Sequence, residues 1–169
     1  RIMAHLKIDT GMGRLGVLYK DLERMLSKLS ESQHIEIEGV YSHFSTAEEK
    51  DTKYRDWQLK RFKDVIIKVK KNLPQVEYFH MANSAAVLTF PEAHFNMVRP
   101  GISLYGVTPF DEPHDYLLPV MRMKAPVSLI KEFDRGESVG YNRQYITDQN
   151  EIIAIVQAGY ADGIPVGFS

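Results

Sequence analysis

The chain has 169 residues, of which 44% are hydrophobic and 25% are charged, and this composition is that of a folded protein rather than a disordered segment. A formal net charge of −1 gives no electrostatic reason to expect a nucleic acid or an anionic membrane surface as a partner. Since there is no cysteine, the composition excludes a disulfide framework and a cysteine-ligated metal cluster.

Strand-like and helix-like patterns alternate along the first two thirds of the chain. The predicted strands cover residues 2–8, 35–44, 76–81 and 95–98. Three helices are predicted. The first follows an N-cap candidate at Asp21, the second spans residues 54–69 and the third spans residues 84–88. Each strand with its helix has the length of a strand plus a crossover connection, which predicts parallel strands in an α/β sheet.

The helical periodicity ends near Phe110. Three strand-like runs follow, separated by Gly, Asp and Asn: "MRMKAPVSLIKEF", "GESVGY" and "EIIAIVQAGY". The sequence therefore predicts two domains, an α/β domain over residues 1–109 and a β-rich second domain that begins at residue 110 and continues to residue 169.

A glycine-rich segment follows the first predicted strand and fits the dinucleotide-binding pattern G-x-G-x-x-G over residues 11–16. A dinucleotide site also needs an acidic residue at the end of the next strand, but that strand ends in "YSHF". Two residues separate the first strand from Gly11, and Arg14 stands where the backbone should approach a pyrophosphate. The pattern therefore favours a sharp turn over a phosphate cradle.

Polar residues gather at the predicted carboxyl ends of the strands, where a (β/α)8 barrel places its active site. They are Lys7, Asp9, Arg14, His43, Asn83, Ser84 and Arg99. The backbone N–H groups of Gly101 and Ile102, with the Ser84 hydroxyl, are suited to hold a phosphate.

Six segments together resemble the alanine racemase family: "HLKIDTGMGRLG", "GVYSHFSTAEEKD", "HMANSAAVL", "NMVRPGISLYG", "GESVGYNRQY" and "AGYADGIP". They occur in the family's order and cover nearly the whole chain. The resemblance implies a barrel that binds pyridoxal 5'-phosphate (PLP), followed by a β-rich domain, in a head-to-tail homodimer. The chain is then the later half of a (β/α)8 barrel with the start of the second domain. We expect the lysine that forms the Schiff base with PLP to lie upstream of this segment.

The resemblance also implies a role for each cofactor-binding position. Arg99 matches the arginine that faces the pyridine nitrogen of PLP, and His43 matches the histidine that links this arginine to a catalytic tyrosine. A guanidinium can only donate hydrogen bonds, so the ring nitrogen that it meets stays an unprotonated acceptor. The remaining matched cofactor positions are Asn83, Ser84, Gly101 and Ile102.

Tyr160 matches the tyrosine that serves as one of two bases. Racemisation removes a proton from one face and delivers it to the other, so two bases are required. The resemblance assigns the L face to Tyr160, inside the partner subunit's barrel, and the D face to the upstream lysine. Arg14 matches the arginine that contacts the substrate carboxylate and the phenolic oxygen of PLP. Lys7 matches a lysine that many members carry as a carbamate.

The resulting prediction is a cytoplasmic, PLP-dependent racemase that interconverts L-alanine and D-alanine for peptidoglycan synthesis, with no metal. Two alternatives remain, a serine racemase domain of a glycopeptide-resistance protein and a non-catalytic PLP-binding barrel.

Two positions depart from the family's pattern. Glu48 stands where an aspartate is common in the substrate channel, and Val166 stands where a basic residue is frequent.

Overall fold

The computed structural model describes residues 1–112 and 115–165; Val166 lies outside the described residues. The chain divides into two compact units, Arg1–Met121 and Arg122–Ser169. The predicted boundary at residue 110 stays a prediction.

The first unit alternates strands and helices. Its elements are β1 (Ile2–Asp9), β2 (Val17–Leu18), α1 (Leu22–Ser30), β3 (Ile35–Tyr41), α2 (Lys53–Asn72), β4 (Tyr78–His80) and α3 (Ser84–Thr89). The four strands form one sheet in the order β2-β1-β3-β4, and all neighbouring strands are parallel. The prediction of an α/β fold with parallel strands is therefore confirmed.

The core of the first unit lies between the sheet and its helices. Helix α2 buries Leu59, Phe62, Val65 and Val69, whose spacing of three or four residues places them on one helix face. Burying each of these side chains stabilises the fold by about 1.5–3 kcal/mol. On β1, Ile8 is buried in the same core. Successive strand residues face opposite sides, so Lys7 and Asp9 are directed away from the side that Ile8 occupies.

The predicted strand over residues 95–98 is wrong, since only Met97 forms a single parallel bridge, to His80. Phe95 has a φ of 47°, a left-handed conformation that interrupts an extended chain. Next to it, the Asn96 side chain accepts a hydrogen bond from Phe79 N at 2.8 Å and donates one to Glu77 O at 2.6 Å. A side chain thus replaces part of the backbone ladder along β4.

The second unit is rich in β structure, as the sequence predicts. Strand β5 (Val127–Phe133) pairs with β8 (Glu151–Val156), and β6 (Ser138–Val139) pairs with β7 (Tyr145–Ile146), both antiparallel. A 3-10 helix, Tyr160–Asp162, follows β8. Within the described parts of both units, no helix is both long enough and apolar enough to cross a membrane.

Candidate active site

The glycine-rich turn after β1 is closed around a carboxylate of the chain itself. Oδ1 of Asp9 accepts hydrogen bonds from the backbone N–H groups of Gly11, Met12 and Gly13 at 2.8, 2.8 and 3.1 Å. Burial alone would raise the pKa of Asp9, but hydrogen bonds from the turn's N–H groups outweigh it and lower that pKa. The donors that a dinucleotide phosphate needs are already bonded, so the turn is not a phosphate cradle.

Two of the glycines are needed for close packing. A Cβ at Gly11 would lie 2.7 Å from the Trp57 ring, and a Cβ at Gly16 would lie 2.8 Å from the carbonyl oxygen of Lys7. Both residues also have a positive φ, 138° and 113°. The turn is thereby held against α2 on one side and β1 on the other, with Arg14 exposed between the two glycines.

Arg99 joins the ends of β3 and β4. Its Nη2 donates to the carbonyl oxygen of Ser42 at 2.7 Å and to Nδ1 of His43 at 3.3 Å, and its Nη1 donates to Nδ1 of His80 at 2.5 Å. The backbone N–H of Arg99 also donates to Ala82 O at 3.0 Å. These contacts fix the plane of the guanidinium at the carboxyl edge of the sheet.

The sequence reasoning missed two residues of this arrangement, His80 and Tyr41. Their rings stack with centroids 5.0 Å apart and an interplanar angle of 5°, and the Arg99 guanidinium lies 5.1 Å from the centroid of Tyr41. A signal for Tyr41 was present in the sequence, because in the predicted strand over residues 35–44 it stands two residues before His43, and residues two apart in a strand share a face.

Both histidines that contact Arg99 are neutral at pH 7. Burial, followed by the positive charge of Arg99, lowers the pKa of His43 to about 4, and the same two causes lower the pKa of His80 to about 4. Since a guanidinium only donates, each Nδ1 is the acceptor and each ring carries its proton on Nε2. Two histidines therefore present lone pairs to one arginine.

Positive charge is concentrated around Lys7. Burial first, then the charges of Arg14 and Arg99, lower the pKa of its amine, while Asp9 acts in the opposite direction. The Lys7 ammonium lies 5.8 Å from the centroid of the Tyr41 ring. Three cationic side chains and one carboxylate thus share this edge of the sheet, which suits an anionic ligand.

Ser84 ties the start of α3 to the segment after Arg99. Its buried hydroxyl oxygen accepts hydrogen bonds from Gly101 N at 2.8 Å and from Ser103 N at 3.3 Å. The side-chain oxygen of Asn83 accepts from Ala86 N at 3.1 Å and so caps α3. The predicted phosphate-binding residues Ser84 and Gly101 are therefore neighbours, and Ile102 directly follows Gly101.

Tyr160 belongs to the second unit, whereas all the other predicted site residues belong to the first. Its side chain is 68% exposed and opens the 3-10 helix that Gly163 ends. The turn is closed by a hydrogen bond from Gly159 N to Oδ2 of Asp162 at 3.0 Å. In the first unit, Glu48 is exposed.

Two family models match the chain. One is described as the N-terminal domain of alanine racemase and matches residues 1–109, and the other is described as its C-terminal domain and matches residues 120–169. The alanine racemase of Carboxydothermus hydrogenoformans is 43% identical over 162 residues, which cover 94% of this chain and 44% of that protein. The alanine racemase of Citrifermentans bemidjiense is 40% identical and is covered to 43%.

Solved structures give the same result. Alanine racemase from Streptomyces coelicolor A3(2) superposes with a TM-score of 0.80 at 36% identity, over 97% of this chain and 45% of that one. Alanine racemase from Bacillus anthracis with bound L-Ala-P superposes with a TM-score of 0.72 at 38% identity, over 95% and 43% of the two chains.

The α/β unit is matched by the first domain model and the β-rich unit by the second. This order of domains defines a two-domain racemase-type protein. The chain belongs to the alanine racemase family. It spans less than half the length of these relatives.

Proposed function

We propose that the chain forms part of a longer alanine racemase that uses PLP to interconvert L-alanine and D-alanine. In this proposal, the first unit is the later half of a (β/α)8 barrel, and the protein is a cytoplasmic homodimer that supplies D-alanine for peptidoglycan. Family membership and the names of its relatives support the proposal. The observation that carries it is Arg99, held by two neutral histidines and a backbone carbonyl at the carboxyl edge of a parallel sheet.

The residues present fit PLP. Arg99 offers only donors, which suits an unprotonated pyridine nitrogen. Gly101 and Ile102 follow Arg99 by two and three residues, and the N–H of Gly101 donates to Ser84 Oγ and so holds Ser84 beside this segment. The donors proposed for a phosphate are the hydroxyl hydrogen of Ser84 and the backbone N–H of Ile102. When bound, PLP withdraws electrons from the α-carbon of the amino acid and makes its proton acidic.

Arg99 sets how strongly the cofactor withdraws electrons. Because a guanidinium cannot accept a hydrogen bond, Arg99 would favour an unprotonated ring nitrogen, and PLP held in this way would be a weaker electron sink. Such a sink would favour return of the proton to the α-carbon over side reactions. In this proposal Arg99 would both hold the ring and favour racemisation.

His43 connects Arg99 to the proton-transfer step. Its Nδ1 accepts from Arg99, so its Nε2 carries a proton and is a donor. We propose that this N–H donates to Oη of Tyr160 from the partner subunit and stabilises the phenolate that takes the proton from L-alanine. The upstream lysine acts on the opposite face.

Arg14 and Lys7 hold the substrate end. Arg14 is exposed at the tip of its turn and binds the alanine carboxylate in this proposal. The lowered pKa of Lys7 increases the share of neutral amine, the form that reacts with carbon dioxide to give a carbamate and release a proton. A carbamate at Lys7 turns a repelling cation into an acceptor for Arg14.

The test is a racemisation assay on the complete protein loaded with PLP. L-alanine is expected to lose its optical activity, and Arg99→Gln is expected to slow this by at least tenfold, since one buried charge contact is worth at least about 1.4 kcal/mol in the barrier. Arg24→Gln, which removes an exposed arginine paired with Asp21, is the control. Faster turnover of L-serine would favour a serine racemase, and no turnover of either would favour a non-catalytic PLP barrel.

A further inference from the structure

Two histidines contact each other across the middle of the parallel sheet. Nδ1 of His5, on β1, lies 2.6 Å from Nε2 of His80, on β4. Strand β3 runs between them, so the two rings cover a gap of about two strand spacings, roughly 9.6 Å. The outer nitrogen of His5, Nε2, lies 3.3 Å from Oε1 of Glu38. Together with Arg99, these side chains form a continuous row, Arg99–His80–His5–Glu38.

The sheet is shaped to fit this row. Gly39 faces His5 in the β1–β3 register, and a Cβ at Gly39 would overlap the imidazole of His5. The register shifts between Ala4 and His5, and this leaves Glu38 as the extra residue of a β-bulge. A bulge re-aims the side chains around it. Gly39 thus leaves space for the imidazole of His5. Glu38 is the bulged residue, and its carboxylate is directed towards that imidazole.

Both rings are also held in plane by aromatic neighbours. His5 stacks on Tyr78 with centroids 5.8 Å apart and an angle of 14°, and His80 stacks on Tyr41 at 5.0 Å and 5°. The side chains of His5 and Glu38 are only 24% and 32% exposed. The row is therefore ordered over its whole length and largely shielded from water.

The two ends of the row determine every proton in it. Arg99 can only donate, so His80 accepts on Nδ1 and carries its proton on Nε2. That proton requires an acceptor at Nδ1 of His5, which places the proton of His5 on Nε2, opposite the carboxylate of Glu38. A carboxylate only accepts, so all the donors run in one direction, from Arg99 to Glu38. Within residues 1–112 and 115–165, no carboxylate contacts Arg99 directly.

We propose that Glu38 and His5 are positioning residues for Arg99. Glu38 fixes the tautomer of His5, His5 fixes the tautomer of His80, and His80 then presents a lone pair that holds the guanidinium towards its ligand. The catalytic consequence rests on the proposed racemase function. The assignment of the protons does not.

The first experiment reads the protons directly. In the complete protein labelled with ¹⁵N-histidine, two-bond ¹H–¹⁵N spectra at pH 7–8 distinguish the two neutral tautomers. We expect the Nε2–H form at both His5 and His80. Glu38→Gln is expected to leave His5 divided between both tautomers, because an amide both donates and accepts. Glu36→Gln, two residues away in an exposed pair with Arg1, is the control and should change nothing. An Nδ1–H tautomer at His5 in the unchanged protein would overturn the proposal.

The second experiment measures turnover in a double-mutant cycle. Glu38→Gln is expected to lower kcat for alanine about tenfold. In H5N the amide oxygen takes the place of Nδ1 and accepts from His80 without help from a carboxylate. Glu38→Gln should therefore have no further effect in the H5N background. An equal loss in both backgrounds means that Glu38 acts otherwise and refutes the proposal. A complete protein that racemises no amino acid refutes the proposed function instead and leaves the tautomer measurement decisive for the row.

Discussion

At the scale of single residues, the neutral histidines beside Arg99 make the first unit sensitive to acid. The pKa values of His43 and His80 are lowered from 6.5 to about 4, with burial the main cause. Between these limits the unfolded chain binds protons that the folded chain excludes, so the free energy of unfolding decreases as pH falls from 6.5 to 4.

This acid sensitivity can be measured by unfolding the complete protein in urea at several pH values. In His43→Gln, the free energy of unfolding should depend less steeply on pH between 4 and 6.5, by a slope that corresponds to at most one bound proton. His34→Gln, which removes an exposed histidine at a distance from Arg99 in the sequence, should leave the slope unchanged. A slope that is identical in His43→Gln and the unchanged protein would contradict the neutral assignment of His43.

Tyr160 permits a test of the two-base scheme. In the complete protein, Tyr160→Phe removes the hydroxyl that exchanges the proton on the L face, and the ring remains. Solvent deuterium should therefore enter L-alanine far more slowly than D-alanine, by at least a hundredfold if Oη is the base on that face. Glu132→Gln, a change at an exposed residue of the same unit outside the six family-like segments, serves as the control. Equal losses from both enantiomers would show that the face assignment is wrong.

At the scale of elements, the turn between β1 and α1 contains two glycines that differ in backbone conformation and in neighbours, Gly13 with a φ of 69° and Gly16 with a φ of 113°. Gly13 and Gly16 both have a positive φ, but a Cβ at Gly13 meets nothing within 4 Å, whereas one at Gly16 meets the backbone of Lys7. Gly13→Ala should thus cost about 1–2 kcal/mol for the left-handed conformation alone. Gly16→Ala should cost about 1–3 kcal/mol more, because its Cβ would overlap the backbone of Lys7 and its φ of 113° lies outside the left-handed region open to alanine.

Thermal unfolding of the two alanine variants checks this difference. Gly16→Ala should also reduce turnover in the complete protein, because it pushes on Lys7 and on the turn that carries Arg14. Gly13→Ala keeps the turn in place and should affect turnover less. If both variants melt at the same temperature, the close packing of Gly16 on β1 is not important for stability.

Elements with strong hydrophobic periodicity could be predicted from the sequence. A segment in which a side chain makes the hydrogen bonds that strand backbone groups would make could not. Helix α2 shows its buried stripe directly, and β1 shows its alternation. The failure at residues 95–98 has a local cause, because an asparagine side chain takes over hydrogen bonds that a strand would make. The amino-acid pattern of residues 95–98 does not show whether backbone groups or the asparagine side chain will make these hydrogen bonds.

The sequence pattern singled out polar residues that follow predicted strands, and it missed residues that depend on contacts between strands. His43, Ser84 and Arg99 were predicted in this way, although residues 95–98 before Arg99 form no strand in the structure. The role of His5 depends on Gly39, on a neighbouring strand, and on a bulge that shifts the register. A single sequence does not determine the register between strands, so the contact between His5 and His80 could not be predicted.

At the scale of the whole molecule, the parallel sheet has an open side. Along β1 only Ile8 and Asp9 pair with β2, while Ile2 and Met3 are 70% and 62% exposed. An exposed strand edge with apolar side chains promotes association. We expect the 169-residue segment, expressed by itself, to sediment as aggregates or heterogeneous oligomers and to bind PLP weakly. The complete protein is the control, and a stable monomer of the segment would contradict the half-barrel interpretation.

The carboxylate that fills the glycine-rich turn has a wider meaning. Asp9 is a tethered competitor: it is covalently attached two residues before Gly11, so its local concentration at the three N–H groups far exceeds that of any free phosphate in solution. A pattern of glycines reports only that a ring of donors can form. In this chain the ring is occupied, because Asp9 stands just before the glycines and accepts from all three N–H groups.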